Sequence, residues 1–115
     1  MDVSAERFEE LVGEALDEIP DDLWGLMDNV AVVVKDGTER SPLLGLYDGV
    51  PLTKRDLAYG GGMVMPDRIT IFRLPILAMC HDEAEVVRQV RITVIHEVAH
   101  HFGIDDDRLH ELGWG

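Results

Sequence analysis

Two histidines and a glutamate near the C-terminal end of the chain have the spacing of a helix-borne metal site. His96 and His100 lie four residues apart, and Glu97 directly follows the first histidine. Side chains four positions apart lie on the same face of a helix, so both imidazoles can reach one ion. Glu97 lies about 100° further round the helix and borders the same place. The motif therefore predicts two metal ligands and a general base.

A catalytic zinc ion takes three protein ligands and keeps a fourth position for water, so a third ligand is required. The pattern continues as HExxHxxGxxD, with Gly103 and Asp106 at the last two fixed positions. A helix cap explains Asp105, and the dipole of a first helical turn explains Asp107, which leaves Asp106 as the preferred third ligand. The alternative donors after the turn are, in order of preference, Glu111 and His110.

A site of this kind predicts hydrolysis of peptide bonds. Zinc lowers the pKa of a bound water molecule to about 7. Glu97 would take the proton from this water, let it attack a polarised carbonyl group, and return the proton to the leaving amine. Two histidines and a carboxylate also describe non-haem iron sites, but a neighbouring glutamate suits deprotonation of water better than oxygen chemistry.

Helices and strands alternate around the motif and must position it. Apolar side chains at helical spacing and β-branched or alternating runs indicate these elements. The predicted helices span residues 4–19, 21–27 and 83–102, and the predicted strands span residues 30–34, 43–47 and 68–72. A helical turn is expected over residues 75–80, and a short last helix starts at the capping residue Asp105 and ends at Gly113. Residues 30–34 are typical of a strand buried on both faces, and Gly103 should end the long helix.

Length and composition indicate one ordinary globular domain over residues 1–115. Of the 115 residues, 46% are apolar and 29% are charged, and no apolar run approaches the roughly 18 residues of a membrane span. Residues 1–6 are acidic where a signal peptide would be basic, so a cytoplasmic location is expected. The single Cys80 excludes an internal disulfide, and its apolar surroundings favour an inert, buried thiol.

The chain is strongly acidic. Ten basic and 23 acidic residues give a net charge of −13. Residues 1–40 alone hold three basic and twelve acidic residues, a net charge of −9. Nucleic acids and anionic membranes would therefore be repelled, and we expect neither as a partner. A cationic partner fits this charge, although an acidic surface that maintains solubility is the simpler interpretation.

The chain resembles small bacterial metallopeptidase-like proteins with a minimal zincin fold, whose signature is HExxHxxGxxD near the C-terminus. The likeness extends over residues 43–53, 66–71 and 91–113. It implies an α+β fold in which helices pack on a small mixed β-sheet, with the metal motif on the long C-terminal helix. It also implies a zinc ion (Zn2+) held by His96, His100 and Asp106, with Glu97 as the base. Metzincins place a methionine turn after the last ligand, whereas all five methionines here precede Asp106.

A peptide or protein is the expected substrate, and the tetrahedral intermediate of its hydrolysis would gain from a fixed hydrogen-bond donor. The sequence does not single out this donor, and His110 and Tyr59 are the candidates. Extended substrates of zincin-like folds pair with a strand at the edge of the cleft, so residues 59–72 are the candidate wall. The triple-glycine loop 60–62 is a candidate gate.

Two other functions are compatible with the sequence. A non-catalytic zinc-binding interaction or regulatory module would use a structural ion and an acidic docking surface, and a fourth protein ligand would mark it. A zinc hydrolase of non-peptide amides would use the same ligands and base. The sequence indicates no oligomeric state.

Overall fold

The structure, a computed structural model that describes residues 1–49 and 66–114, contains a small mixed β-sheet. Its strands are β1 (Val30–Lys35), β2 (Gly45–Asp48) and β3 (Asp67–Phe72). The strand order is β1-β3-β2, so β3 is central in the described sheet. β1 runs parallel to β3, with Val32 opposite Ile69, and β2 runs antiparallel, with Tyr47 opposite Ile69.

The described residues also contain five helices. They are α1 (Ala5–Asp17), α2 (Asp21–Leu26), α3 (Arg73–Met79), α4 (Glu83–His101) and α5 (Asp106–Leu112). The expected α+β class, with helices on a small mixed sheet and the motif on the long C-terminal helix, is confirmed. Across residues 1–49 and 66–114, no helix combines the length and apolar character needed to cross a bilayer.

Local capping residues set the ends of the helices that frame the motif. Ser4, Asp82 and Asp105 each accept a hydrogen bond from the backbone N–H three residues later. Such a bond satisfies one of the N–H groups that a first helical turn leaves unpaired. Gly103 and Gly113 have φ angles of +74° and +77°, the left-handed conformation that glycine adopts without strain. The capping and turn predictions for Asp105, Gly103 and Gly113 are therefore confirmed.

The core lies between α1, α4 and the central strand. Its fully buried side chains include Phe8, Leu11, Ile69, Ile71, Val86, Val90, Val94 and Val98. The four valines in this list lie four residues apart along α4. They therefore fix the rotation of that helix about its axis. With this face buried, His96, Glu97 and His100 project from the remaining surface of α4.

The expectation that residues 30–34 form a strand buried on both faces is wrong. Every residue of β1 from Val30 to Val34 is only partly buried. In β3, by contrast, Ile69 and Ile71 are 0% exposed and Thr70 is 4% exposed. The difference arises because β1 lies at the edge of the sheet formed by the described strands, whereas β3 has a strand on each side.

Cys80 is buried directly after α3 and makes no disulfide. Burial raises the pKa of its thiol above the ordinary value, because an apolar environment disfavours the thiolate. The expectation of an inert, buried thiol is consistent with both observations.

Strand β2 approaches α4 so closely at Gly45 that no side chain fits between them. A Cβ atom at residue 45 would lie 2.6 Å from Thr93 Cγ2 and 3.1 Å from the carbonyl oxygen of Thr70. The sequence predicted a strand over residues 43–47, whereas β2 begins at Gly45 and runs to Asp48. The missing side chain therefore permits the contact that places β2 beside the motif.

Replacing Gly45 with Ala tests this close approach. Because Thr93 or the strand must move to admit the new methyl group, the free energy of unfolding should fall by about 1–3 kcal/mol. Gly25→Ala in α2 is the control, since its Cβ would meet no atom within 4 Å. That variant should be unchanged or more stable by about 1 kcal/mol. Urea unfolding followed by circular dichroism measures both, and equal stabilities would contradict the close contact.

Candidate metal centre

The last two turns of α4 carry the three side chains of the motif. His96 and Glu97 are partly buried, and His100 is exposed. The ring centroids of His96 and His100 are 5.9 Å apart and their planes are tilted by 40°. The helical spacing thus brings the two imidazoles to neighbouring positions on one face, as metal binding requires.

Asp106 lies at the start of α5, where the left-handed turn at Gly103 directs the chain back towards α4. Its Oδ1 atom is 3.6 Å from His100 Nε2. Two ligands about 2.0–2.2 Å from a tetrahedral zinc ion lie about 3.4 Å apart, so this separation fits a shared ion. The alternative donor Glu111 instead pairs with Arg108 of the same helix at 2.9 Å.

The three proposed ligands are not gathered to coordination distance. In residues 1–49 and 66–114, no three His, Cys, Asp or Glu side chains are close enough to hold an ion together. The His100 and Asp106 side chains are 55% and 74% exposed. Exposed side chains change rotamer readily, so the positions of His100 and Asp106 are compatible with movement towards a common ion. The donor chemistry of His96, His100 and Asp106 fits zinc.

Glu97 is held by the main chain of β2. The backbone N–H of Tyr47 donates a hydrogen bond to Glu97 Oε1 at 3.1 Å. A carboxylate that accepts a backbone N–H is fixed in orientation, because the strand cannot rotate as a side chain does. No sequence signal links these two residues, which are 50 positions apart.

The side chain of Tyr47 in β2 contacts both α4 and β3. Its ring stacks on His101, with centroids 3.9 Å apart and an interplanar angle of 18°. Its hydroxyl group donates to Asp67 Oδ2 at 2.7 Å. Gly49 lies against the same stack, since a Cβ there would be 3.1 Å from His101 Cε1. His101 therefore packs against β2, and Tyr47 is a site residue that the sequence did not indicate.

The two candidate oxyanion donors are in different situations. His110 lies on α5 and is exposed. Tyr59 and the glycine loop 60–62 fall outside the described residues. The oxyanion role of both residues stays a prediction.

The proposed wall of the cleft is wrong in its described part. Residues 67–72 form β3, which pairs with β1 on one side and β2 on the other. A strand bonded on both sides has no free edge for an extended substrate. The edge strand beside the motif is β2.

A groove of about 220 Å³ runs between the start of β2 and α4 and reaches the motif. Apolar residues dominate its walls, and the motif closes one end. The lining includes Leu43, Leu44, Ile92, His96 and Glu97. Larger grooves exist, including one of about 650 Å³ between the N-terminal residues and α3, but that one contains no residue of the motif. The smaller groove is the candidate cleft because it adjoins the chemistry.

The chain belongs to the zincin-like metallopeptidase family, whose sequence profile matches residues 27–114. The match covers the sheet, α3, α4 and α5, and membership implies zinc binding. Among solved structures, a conserved hypothetical protein from Thermus thermophilus is similar, with a TM-score of 0.58 and 23% identity. The similarity covers 87% of this chain and 94% of that one, and it shows the fold. No protein of curated function matches in sequence.

Two variants test the role of Tyr47 in holding β2 against α4. Tyr47→Leu removes the stack on His101 and the bond to Asp67, so the free energy of unfolding should fall by about 1–3 kcal/mol. Tyr47→Phe keeps the ring and loses only the hydroxyl group, at about 1 kcal/mol. Urea unfolding gives both values, and hydrogen exchange of β2 should accelerate more in the Leu variant. A Leu variant as stable as the native chain would show that these contacts are dispensable.

Proposed function

We propose that this protein is a zinc metallopeptidase that hydrolyses peptide bonds, with Glu97 as the general base. His96, His100 and Asp106 are the proposed ligands. The observation that carries this proposal is the position of Glu97. Its carboxylate is anchored by the Tyr47 N–H at 3.1 Å, and Glu97 lines the groove between β2 and α4 together with His96.

The chemistry divides between the ion and the protein. Zinc, when bound, polarises the scissile carbonyl group and lowers the pKa of the attacking water. Glu97 uses Oε1 to accept the Tyr47 N–H, which leaves its second oxygen for taking a proton from water. The same oxygen then returns the proton to the leaving amine. Peptide hydrolysis requires this pair of transfers, and a fixed carboxylate makes both without reorienting.

The substrate is proposed to enter along the groove beside β2. Phe72 donates its N–H to the carbonyl oxygen of Leu44. In this antiparallel register, the backbone N–H and C=O groups of residues 44, 46 and 48 therefore point towards β3. The main-chain groups of residues 45 and 47 consequently point away from β3, on the side of the groove. The Tyr47 N–H is already donated to Glu97, so the walls of the groove rather than pairing with β2 would hold an extended peptide. Leu43, Leu44 and Ile92 favour an apolar side chain next to the scissile bond.

Measuring cleavage and bound zinc in the native chain and in Glu97→Gln tests the function. The variant keeps the shape of the side chain and loses the base, so zinc should be retained while cleavage of a peptide library falls about 100- to 10,000-fold. Glu111→Gln is the matched control, because its carboxylate pairs with Arg108 on the exposed surface of α5. That variant should cleave as the native chain does.

Three other outcomes would contradict the proposal in different ways. Cleavage by Glu97→Gln at the rate of the native chain would show that Glu97 is not the base. Bound zinc without cleavage by any variant would indicate a non-catalytic zinc module. Activity on simple amides but on no peptide would indicate a hydrolase of another substrate class, so both kinds of compound belong in the assay.

Neighbouring aspartates provide a matched test of the third ligand. Asp106→Ala should lower zinc affinity about 100-fold, since one of three protein ligands is lost. Asp107→Ala removes a carboxylate from the same helical turn and should change zinc affinity little. Competition with a chromophoric chelator measures both. A loss of affinity in Glu111→Ala with none in Asp106→Ala would transfer the role to Glu111.

A further inference from the structure

The groove beside Glu97 follows one face of α4 away from the motif. The α4 side chains that line it are Gln89, Ile92, Thr93, His96 and Glu97. Positions three, four, seven and eight residues apart lie on one face of a helix, so these side chains form a continuous wall. Gln89 lies seven residues before His96, about 10 Å along the helix axis. The groove therefore has one end at the motif and the other at Gln89.

The walls between these two ends are apolar and partly uncovered. Leu43 lines the groove from the strand side and is 51% exposed. Leu44 and Ile92 also line it and are only partly buried. Outside the motif, no charged side chain among the described residues lines this groove. A charged occupant would lose water without gaining an ion partner, whereas an apolar occupant would cover the exposed walls. The middle of the groove therefore favours an uncharged, apolar side chain.

Gln89 provides an unused amide at the end of the groove that is remote from the motif. Its side chain is partly buried and makes no hydrogen bond with any residue that the structure describes. Thr93, the other polar wall residue outside the motif, donates its hydroxyl hydrogen to the carbonyl oxygen of Gln89 at 2.8 Å. A side-chain amide offers both donors and an acceptor. The Gln89 amide is therefore available to a hydrogen-bonding group of a substrate.

The size of the groove fits one large side chain. Its volume of about 220 Å³ equals that of about seven water molecules in the liquid, too little for a folded segment. Tyrosine combines an apolar ring with a hydroxyl group at its tip, which can donate and accept a hydrogen bond. Phenylalanine and leucine would cover the walls but leave the Gln89 amide unpaired. Lysine would bring a charge that the groove does not neutralise.

We propose that Gln89 makes the groove specific for a tyrosine side chain next to the scissile bond. The ring packs between Leu43 and Ile92, and its hydroxyl group forms a hydrogen bond with the Gln89 amide. Gln89 takes no part in the chemistry, which stays with Glu97 about two helical turns away. This inference rests on the proposed peptidase function, because that function places the substrate in this groove.

A cycle of substitutions in the protein and in the peptide tests this contact. Capped, labelled alanine peptides with Tyr or Phe at one central position are added to the full chain, loaded with zinc and carrying Glu97→Gln so that the peptides are not consumed. The Tyr peptide should bind about tenfold more tightly than the Phe peptide. With Gln89→Leu added, this ratio should fall to about one, because leucine keeps the bulk and lacks the amide. Fluorescence anisotropy gives the four dissociation constants.

Two further variants in the same Glu97→Gln background separate this hydrogen bond from general effects of substitution. Arg88→Leu changes a neighbouring side chain that lines a different groove, between α1 and α4, so the preference for Tyr over Phe should stay. Gln89→Glu keeps an acceptor and adds a negative charge. It should retain the preference for Tyr and bind a Lys peptide about tenfold more tightly than Gln89 does. Equal Tm values would show that all variants are folded.

The outcomes distinguish this inference from the function on which it rests. An equal ratio of Tyr to Phe affinity with and without Gln89→Leu, or a Phe or Lys peptide bound as tightly as the Tyr peptide, would overturn the role of Gln89. Binding of the Tyr peptide that depends on Gln89, without cleavage by the native chain, would support the groove and overturn the peptidase. Preferential cleavage beside tyrosine that Gln89→Leu abolishes would support both, and neither binding nor cleavage of any peptide would overturn both.

Discussion

The close contact between β2 and α4 is the constraint on which the candidate site depends. Gly45 allows the strand to come within van der Waals range of Thr93, and two residues later the Tyr47 N–H reaches Glu97 Oε1 at 3.1 Å. The Tyr47 ring, stacked on His101 and bonded to Asp67, keeps the strand at this distance. A helix alone would present Glu97 as a mobile surface carboxylate, whereas the strand makes it an oriented carboxylate beside a groove.

The position of Asp106 depends on a glycine turn and a helix cap. A left-handed Gly103 ends α4, and the side chain of Asp105 caps α5 by accepting the N–H of Arg108. Together they place Asp106 on the first turn of α5, 3.6 Å from His100. The three proposed ligands thus lie on two helices joined by a short turn.

One small sheet presents two different edges. β2 lies beside the motif and lines the candidate cleft, while β1 lies at the other edge next to the acidic helix α1. The central strand β3 is buried between them and carries Ile69 and Ile71 in the core.

The sequence by itself determined the features that depend on neighbours within a few residues. The helical phase of His96, Glu97 and His100, the cap at Asp105 and the turn at Gly103 all follow from helix periodicity and local hydrogen bonds, and the fold class followed from resemblance to a known family. Only the tertiary structure decided that residues 30–34 form an edge strand, that β3 is central, and that Tyr47 anchors Glu97 from 50 positions away. A run of valines has the same local preference at the edge of a sheet as at its centre, and a backbone N–H has no side-chain signature. Both outcomes depend on which strands pair, and pairing is set by packing between segments far apart in the chain.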